Sequence, residues 1–371
     1  MRHSMRNMNS DPGLNDLDAM INDYEKSPEI YHASKFWDKL NKLNIKWLHE
    51  DGLENFKRTV NNNYFNWLVN IRATHLLNLL GTFFSKNWLR PHRFLQLAYG
   101  SIPEMYCRTY LTDKTRTGII NRKLYTIYLK LLYDFVLSSD NLNLFKELEE
   151  PTIGNPITIQ IDRRRISQDI CNSYLEYLFI RNTLDKKFQD IGTVLEIGSG
   201  YGRLGYIFKK LHDKRIKYIV VDIPPALFIA QWYFERIFPE VTKFRYRNFR
   251  NFSEIKAEFQ NSSVCFLLPH QLDLLPDQSV DLMINVSSLQ EMSMAQIKNY
   301  YEIIHRKSSY FYTKQWTFWE NPEDKISVPA VAYPTNPEWE LLRARLNPIH
   351  KSFFEAIFLL HPNLHEGDQK I

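Results

Sequence analysis

The sequence has few cysteines and no long apolar run. Its 371 residues include Cys107, Cys171 and Cys265 as the three cysteines, and their spacing fits neither a metal site nor a disulfide framework. We interpret them as reduced core thiols, which favours a cytoplasmic protein. No segment approaches the roughly 18 apolar residues of a membrane-spanning helix, and residues 1–6 lead into no hydrophobic segment of a secretory signal. We therefore expect no membrane span.

The sequence also lacks a strong excess of charge of one sign. Its formal net charge is +5, which tolerates an anionic partner without requiring one. The densest basic cluster is Arg163 to Arg165, before a predicted helix at 166–184. Two interpretations stay open here: Arg163 contacts the diphosphate of a nucleotide-linked or lipid-linked substrate, or the cluster is a solvated surface. A broad basic surface is missing, so we expect no nucleic-acid partner.

Glycine is scarce, yet three glycines stand at alternate positions. An apolar run ends at Glu196 and leads into Gly198, Gly200 and Gly202. This pattern predicts a buried strand that breaks into a tight turn and opens a helix, because glycine allows the dihedrals of the turn and the close approach of a ligand. The dinucleotide fingerprint needs a glycine at the sixth position from Gly198, where this chain has Arg203. The spacing thus indicates a nucleotide-like ligand but argues against NAD.

This acid-and-glycine pattern resembles the first motif of class I S-adenosylmethionine (SAM) methyltransferases. In those enzymes the acid helps to place the amino-acid end of the cofactor, so the resemblance implies that role for Glu196. A glycine-rich turn without a ligand is the alternative. The loop residues that the resemblance assigns to the cofactor are Gly198, Ser199, Gly200, Tyr201 and Gly202.

Polar residues after the next strands fit the same cofactor. The predicted strand 216–221 ends at Asp222, about twenty residues after the glycine turn, where an acid accepts both ribose hydroxyls. Ile223 is expected beside the adenine. Gln271 falls where these methyltransferases often carry Asp or Asn, and its amide can bond the adenine edge. Ser287, after the fourth strand, completes the predicted cofactor set.

Longer segments resemble the sugar O-methyltransferase family. The similar segments are 196–203, 221–227, 268–272, 285–292 and 312–316, with weaker ones at 55–58, 63–67 and 166–170. The resemblance implies SAM-dependent methyl transfer to a sugar hydroxyl in the biosynthesis of surface glycans or glycosylated natural products. It implies a sugar or glycoconjugate as the partner, carried by a nucleotide, a lipid or an aglycone.

The order of the elements predicts an α/β fold. Strands at 194–197, 216–221, 264–268, 281–286 and 309–316 alternate with helices, which is typical of a Rossmann-like, doubly wound parallel sheet with its ligand at the carboxyl ends of the strands. This class I methyltransferase domain is expected over 151–371. Near its end we predict a strand at 326–333, a short helix at 338–346 and a strand at 353–360, and the resemblance implies that this last strand is antiparallel.

Residues 1–150 are predicted to form a mostly helical cap or substrate domain. Apolar residues recur at helical spacing in 16–24, 36–48, 64–84 and 123–137. The aromatic residues of the cap either line a sugar site or belong to the core, and core is the more frequent role at such spacing. They are Trp37, Trp47, Tyr64, Phe65 and Trp67.

Methyl transfer to an alcohol requires alignment and a base. Alignment can lower the barrier by ~7–11 kcal/mol, and a positioned base adds about two to four powers of ten in rate. Glu291, after the fourth strand, is our first candidate base, with a helix-entry acid as the alternative role. His270 is the second candidate, since imidazole ionises near neutral pH, and a turn residue beside the adenine pocket is its alternative.

The end of the fifth strand carries the remaining candidates. We expect substrate contacts from Arg163 and from Tyr312, Lys314, Gln315 and Trp316. No metal site is predicted from ligand spacing, although a divalent metal that acidifies the hydroxyl stays an alternative. Three other functions stay open: an NAD(P)-dependent sugar oxidoreductase or epimerase, an RNA methyltransferase, and a SAM-binding regulator without turnover.

Overall fold

The computed structural model describes residues 12–60, 80–81, 106–109, 112–116, 118–212, 215–321 and 323–361. The segment 63–67 and the tail after 362 lie outside the described residues, and so does the predicted helix 64–84 apart from its helical residues 80–81. The described helices are α1 Pro12–Glu25, α2 Lys35–Asp51, α3 Ile119–Ser139, α4 Gln168–Leu184, α5 Arg203–His212, α6 Ala226–Ile237, α7 Lys256–Asn261 and α8 Met294–Lys307.

The strands form one large sheet and three small ones. The small sheets are the hairpins β1 Tyr106–Thr109 with β2 Thr112–Arg116, β3 Ile159–Ile161 with β4 Arg164–Ile166, and β11 Phe318–Asn321 with β12 Ile326–Pro329. The strands of the large sheet are β5 Thr193–Ile197, β6 Lys217–Val221, β7 Lys243–Phe244, β8 Val264–Leu267, β9 Val280–Val286, β10 Ser308–Trp316, β13 Glu340–Leu346 and β14 Phe353–Leu359.

The large sheet has eight strands in the order β13-β14-β10-β9-β5-β6-β8-β7. The pairs from β10 through β7 are parallel, whereas β14 is antiparallel to both of its neighbours. This arrangement confirms the predicted doubly wound, Rossmann-like sheet and its antiparallel final strand. Because the chain leaves β5 first toward β6 and later returns to β9 on the other side, the switch point where ligands bind lies at the carboxyl ends of β5 and β9.

The central strands of the large sheet are apolar and bury side chains on both of its faces. Alternate residues of β5 go to opposite faces: Val194 joins one apolar cluster and Leu195 joins the other. The same division separates Val220 from Ile219 in β6. Strands that are buried on both faces in this way are typical of parallel sheets covered by helices. The polar loops at the strand ends therefore remain the places where function can reside.

Near the end of the chain one prediction is wrong and another is confirmed only in part. The segment 338–346, predicted as a helix, is strand β13, which pairs with β14 from Glu340 to Leu346. Most of its residues are exposed, since it is an edge strand, so pairing with β14 decides its structure rather than a buried helical face. The predicted strand 326–333 is shorter, at Ile326–Pro329, and pairs with β11 outside the large sheet.

Residues 12–51 fold back over the carboxyl edge of the large sheet, and we call this segment the roof. The side-chain amide of Gln296, in α8, donates to the carbonyl oxygens of Ile30 at 3.2 Å and His32 at 2.6 Å. The hydroxyl of Tyr31 donates to the carboxylate of Asp273. These contacts place helices α1 and α2 beside the strand ends that carry the candidate site. The division into domains at residue 150 stays a prediction.

Candidate functional site

The glycine-rich loop after β5 uses its three glycines in different ways. All have positive φ, at +69° for Gly198, +58° for Gly200 and +83° for Gly202. A Cβ atom on Gly198 would overlap Ser288, and one on Gly202 would overlap the ring of Phe234. A Cβ atom on Gly200 would meet nothing within 4 Å. Two glycines thus serve packing, while Gly200 borders open space that a ligand can fill.

Asp222 ties this loop to the end of β6. Its Oδ2 accepts a hydrogen bond from the backbone N–H of Gly200 at 2.6 Å, and its Oδ1 accepts one from Ile223 at 2.7 Å. Burial raises the pKa of Asp222 to about 7, although the hydrogen bonds from the two backbone N–H groups oppose this rise. Ile223 is only partly buried. The carboxylate therefore stands next to the open space at Gly200, and its contact with a ribose stays a prediction.

Two polar groups near the loop lack partners among the described residues. The Oγ of Ser199 is buried and unpaired, and so is the Nε2 of Gln168 at the start of α4. These side chains are 6% and 5% exposed. The hydroxyl of Tyr201 donates to Asp169 at 2.7 Å and joins the start of α4 to the loop. Since buried polar groups are rarely left unpaired, the two groups indicate a missing polar ligand.

Glu196 lies beneath the loop. Its carboxyl group accepts a hydrogen bond from the hydroxyl of Tyr218 at 2.7 Å, and it is 2% exposed. Burial raises its pKa to about 8, although the Tyr218 hydrogen bond and the charge of Arg203 oppose the rise. Glu196 thus lies in the core next to the loop, where it contacts Tyr218. Its contact with a cofactor stays a prediction.

Three charged side chains form a buried ionic network near the loop, which we did not predict from the sequence. Arg203 donates to Glu176 through both terminal nitrogens, at 2.8 and 2.9 Å, and Lys314 donates to Glu176 at 2.8 Å. Burial alone would raise the pKa of Glu176, but the two cations outweigh it and hold that pKa below its ordinary value. Arg203 at the sixth position of the motif was the sequence signal for this network. Lys314 is consequently engaged within the protein.

The other substrate candidates on β10 are mostly enclosed. Tyr312 and Gln315 are 0% exposed, since their strand lies between two layers of the core. The Nε2 of Gln315 donates to the side chain of Asn285 at 2.5 Å. Trp316, at the strand end, is partly exposed. The structure therefore brings only Trp316 of this set to an open surface.

Two further candidates lie in turns other than the glycine-rich loop. Gln271 is 0% exposed, and its amide accepts from the N–H of Leu268 and donates to the carbonyl of Arg247, both at 2.9 Å. It closes the turn after β8 rather than offering its amide to an adenine edge. Arg163 is exposed at the turn of the β3–β4 hairpin, with φ of +65°. Its contact with a substrate stays a prediction.

Glu291 lies where the roof meets the ends of β9 and β10. The indole N–H of Trp37, in the roof, donates to its Oε2 at 2.7 Å. Burial raises the pKa of Glu291 to about 8 and the charge of Asp222 adds to the rise, whereas hydrogen bonds from Trp37 and Gln290 oppose it. Gln290 also donates to the Oγ of Ser287 at 2.9 Å. A carboxyl group with this pKa holds its own proton near neutral pH and can accept another group's proton once it ionises, as the pH rises through about 8.

His270 lies under the other end of the roof. Its Nδ1 is buried without a partner among the described residues. Burial lowers the pKa of His270, with an opposing contribution from Asp23 and a supporting one from His32. Both candidate bases thus face the roof, a relationship that the sequence did not reveal.

Two further findings concern the described part of the chain. No group of three or more His, Cys, Asp or Glu side chains there is arranged to hold a metal ion. No described helix combines the length and apolar character that crossing a membrane requires.

Solved structures with similarity to the chain include several methyltransferases. A SAM-dependent methyltransferase from Aquifex aeolicus has 16% sequence identity, with 48% of this chain and 92% of that chain covered and a TM-score of 0.29. Magnesium protoporphyrin IX methyltransferase from Synechocystis, solved with bound SAM, has 10% identity, coverage of 62% and 96%, and a TM-score of 0.36. A SAM-dependent methyltransferase from Clostridium acetobutylicum has 11% identity, coverage of 49% and 89%, and a TM-score of 0.34. No family model and no curated protein matches the chain.

Proposed function

We propose that this chain is a SAM-dependent O-methyltransferase that modifies a sugar hydroxyl. One observation carries the proposal: the loop at the sheet's switch point opens at Gly200 and is hydrogen-bonded there to the carboxylate of Asp222. A nucleoside needs such a combination, because its ribose requires an acceptor and its approach requires a residue without a side chain.

The residues around the loop fit SAM. We assign the ribose hydroxyls to Asp222 and one face of the adenine to Ile223. The unpaired Oγ of Ser199 and Nε2 of Gln168 are donors that suit the carboxylate of the amino-acid end. Burial keeps the loop dry, which strengthens each of these hydrogen bonds. When bound, the cofactor supplies a methyl group on a positively charged sulfur.

Glu291 is our proposed base. In its ionised form, its carboxylate takes the proton of the acceptor hydroxyl, while Trp37 and Gln290 fix its orientation. The roof covers part of this end of the site and aligns the acceptor, and alignment accounts for the larger part of the expected rate enhancement. His270 is the second candidate for the same role.

The proposal of a sugar acceptor rests on the resemblance of the sequence to sugar O-methyltransferases. Segments such as 285–292 and 312–316 resemble sugar O-methyltransferases, and we extend the proposal to surface-glycan or glycosylated natural-product biosynthesis in the cytoplasm. The partly exposed aromatic side chains near Glu291 support a ring-shaped acceptor.

Isothermal titration with S-adenosylhomocysteine and with NAD tests the cofactor assignment. We expect the wild-type protein to bind the first and not the second, and Gly200→Val to lose that binding because the side chain fills the ligand's space. Gly118→Val is the matched control: a Cβ atom on Gly118 would also meet nothing within 4 Å, but the φ of −62° there accepts any residue. Unchanged affinity in folded Gly200→Val would refute the assignment.

A further inference from the structure

Five aromatic residues form a continuous cluster beside Glu291. The centroids of Phe36 and Trp37 are 5.6 Å apart, and Phe36 reaches Trp319 at 6.5 Å. Trp319 reaches Trp316 at 5.6 Å, and Trp316 reaches Phe353 at 4.7 Å. We call these residues the aromatic cluster. It joins the roof, the end of β10, β11 and the start of β14.

The cluster differs from the aromatic core of the protein in its exposure. Phe36, Trp37, Trp316 and Trp319 all keep part of their surface accessible. By contrast, Trp47 of the same helix α2 is 1% exposed. Aromatic rings that serve only packing are expected to be covered as Trp47 is, because each buried ring contributes a large apolar area. Four adjacent rings with open surface therefore indicate a place for a ligand.

The cluster is connected to the proposed base by hydrogen bonds. Trp37 donates its indole N–H to Glu291 at 2.7 Å. The backbone N–H of Trp316 donates to Gln290, the residue before Glu291, at 2.8 Å. A ring that rests on the cluster would thus have its edge close to the carboxyl group that takes the proton.

One polar atom within the cluster has no partner. The indole Nε1 of Trp319 is buried and lacks an acceptor among the described residues. This nitrogen only donates, and an unpaired buried donor carries a free-energy cost that a ligand oxygen would remove. A ligand that suits the cluster therefore needs an apolar face for the rings and oxygen atoms around its rim.

We propose that the aromatic cluster is the acceptor subsite and that it binds the apolar face of a pyranose ring. The ring C–H groups pack on Trp316 and Trp319, a rim oxygen accepts from the Trp319 indole, and the hydroxyl to be methylated points to Glu291. A planar aromatic acceptor without rim oxygens would leave the Trp319 N–H unpaired. This inference rests on the proposed function and specifies the acceptor of that same site.

Saturation-transfer NMR tests the subsite without turnover. The protein is first saturated with S-adenosylhomocysteine, and the probes are the methyl glycosides of glucose, galactose, mannose and rhamnose. The ring C–H groups of a bound pyranose would pack on the aromatic rings. We therefore expect saturation transfer from the protein to the ring protons of at least one glycoside at millimolar concentration. Trp319→Ala should weaken that binding about tenfold. Phe318→Ala is the matched control, since Phe318 is the preceding residue, 53% exposed and outside the cluster.

The outcomes separate the inference from the proposed function. Failure to bind S-adenosylhomocysteine would defeat the proposed function and the inference with it. Cofactor binding without transfer to any glycoside, or equal loss in Trp319→Ala and Phe318→Ala, would overturn the subsite alone. Trp319→Phe guards against a folding defect: it keeps the stacking ring and removes the N–H, so we expect binding between wild type and Trp319→Ala. Binding of toluene, a planar ring without rim oxygens, in place of the glycosides would also overturn the inference.

Discussion

Trp37 and Glu291 meet across 254 residues of sequence, with the indole N–H 2.7 Å from the carboxyl oxygen. Trp37 belongs to the roof, and Glu291 follows the carboxyl end of β9. The hydrogen bond lowers the pKa that burial raises. The roof therefore tunes the ionisation of the proposed base as well as covering it.

Removing this donor should shift the pH dependence of methyl transfer. In Trp37→Phe the carboxylate loses a hydrogen bond that favours its charged form, so the pKa of Glu291 rises and the rate profile moves to higher pH. The measurement is single-turnover rate against pH. Trp339→Phe is the control, because it deletes an indole hydrogen bond to His305 of 3.0 Å outside the site. An unshifted profile in Trp37→Phe would count against the role of Trp37.

Replacing the base itself should affect turnover far more than binding. Glu291→Gln keeps the shape of the side chain and removes its ability to take a proton, so we expect a loss of about two to four powers of ten in rate. In the wild type, the rate should rise as the pH passes about 8, where Glu291 ionises. Titration with S-adenosylhomocysteine should be unchanged. Exposed Glu302→Gln serves as control, and wild-type turnover in Glu291→Gln would leave His270 as the candidate.

The ionic network under the loop should be important for stability. Glu176→Ala leaves Arg203 and Lys314 buried without their shared carboxylate, and breaking a buried pair in this way costs about 3–5 kcal/mol. Urea unfolding at pH 7 measures the loss. Glu149→Ala, which removes an exposed pair with Arg165, should cost less than about 1 kcal/mol. Equal losses in the two variants would contradict the buried charges that the structure shows.

The pH dependence of stability reports the buried acid Glu196. Its pKa is raised to about 8 in the folded protein from an ordinary value of 4.5. The folded state therefore holds the proton more tightly, so this contribution to stability is complete below about pH 4.5 and is lost as the pH rises through about 8. Glu196→Gln should reduce the decline in unfolding free energy between pH 5 and pH 8. A decline as steep as in the wild type would show that another group causes it.

Local sequence patterns predicted the frame of the site. Glycines at alternate positions located the loop, and an acid after a β-branched run located Asp222. The start of α8 is a similarly local feature, since Ser293 and Gln296 exchange the hydrogen bonds of a capping box at 3.3 and 3.0 Å. These features succeed because each depends on residues close together in the chain.

Contacts between distant residues explain what the sequence left open. Lys314 was an expected substrate contact, yet Glu176 of α4 engages it across the core. The segment of β13 was predicted as a helix, and its structure depends on pairing with the distant strand β14. The position of Trp37 over Glu291 depends on the fold of the roof, and no local spacing encodes it.

The most direct test is a crystal structure of the chain with S-adenosylhomocysteine. We predict the adenosyl group beside Gly200, with the ribose hydroxyls on the carboxylate of Asp222 and the amino-acid end near Ser199. A structure grown at saturating S-adenosylhomocysteine in which this space holds only solvent, or in which the compound binds elsewhere, would contradict the account.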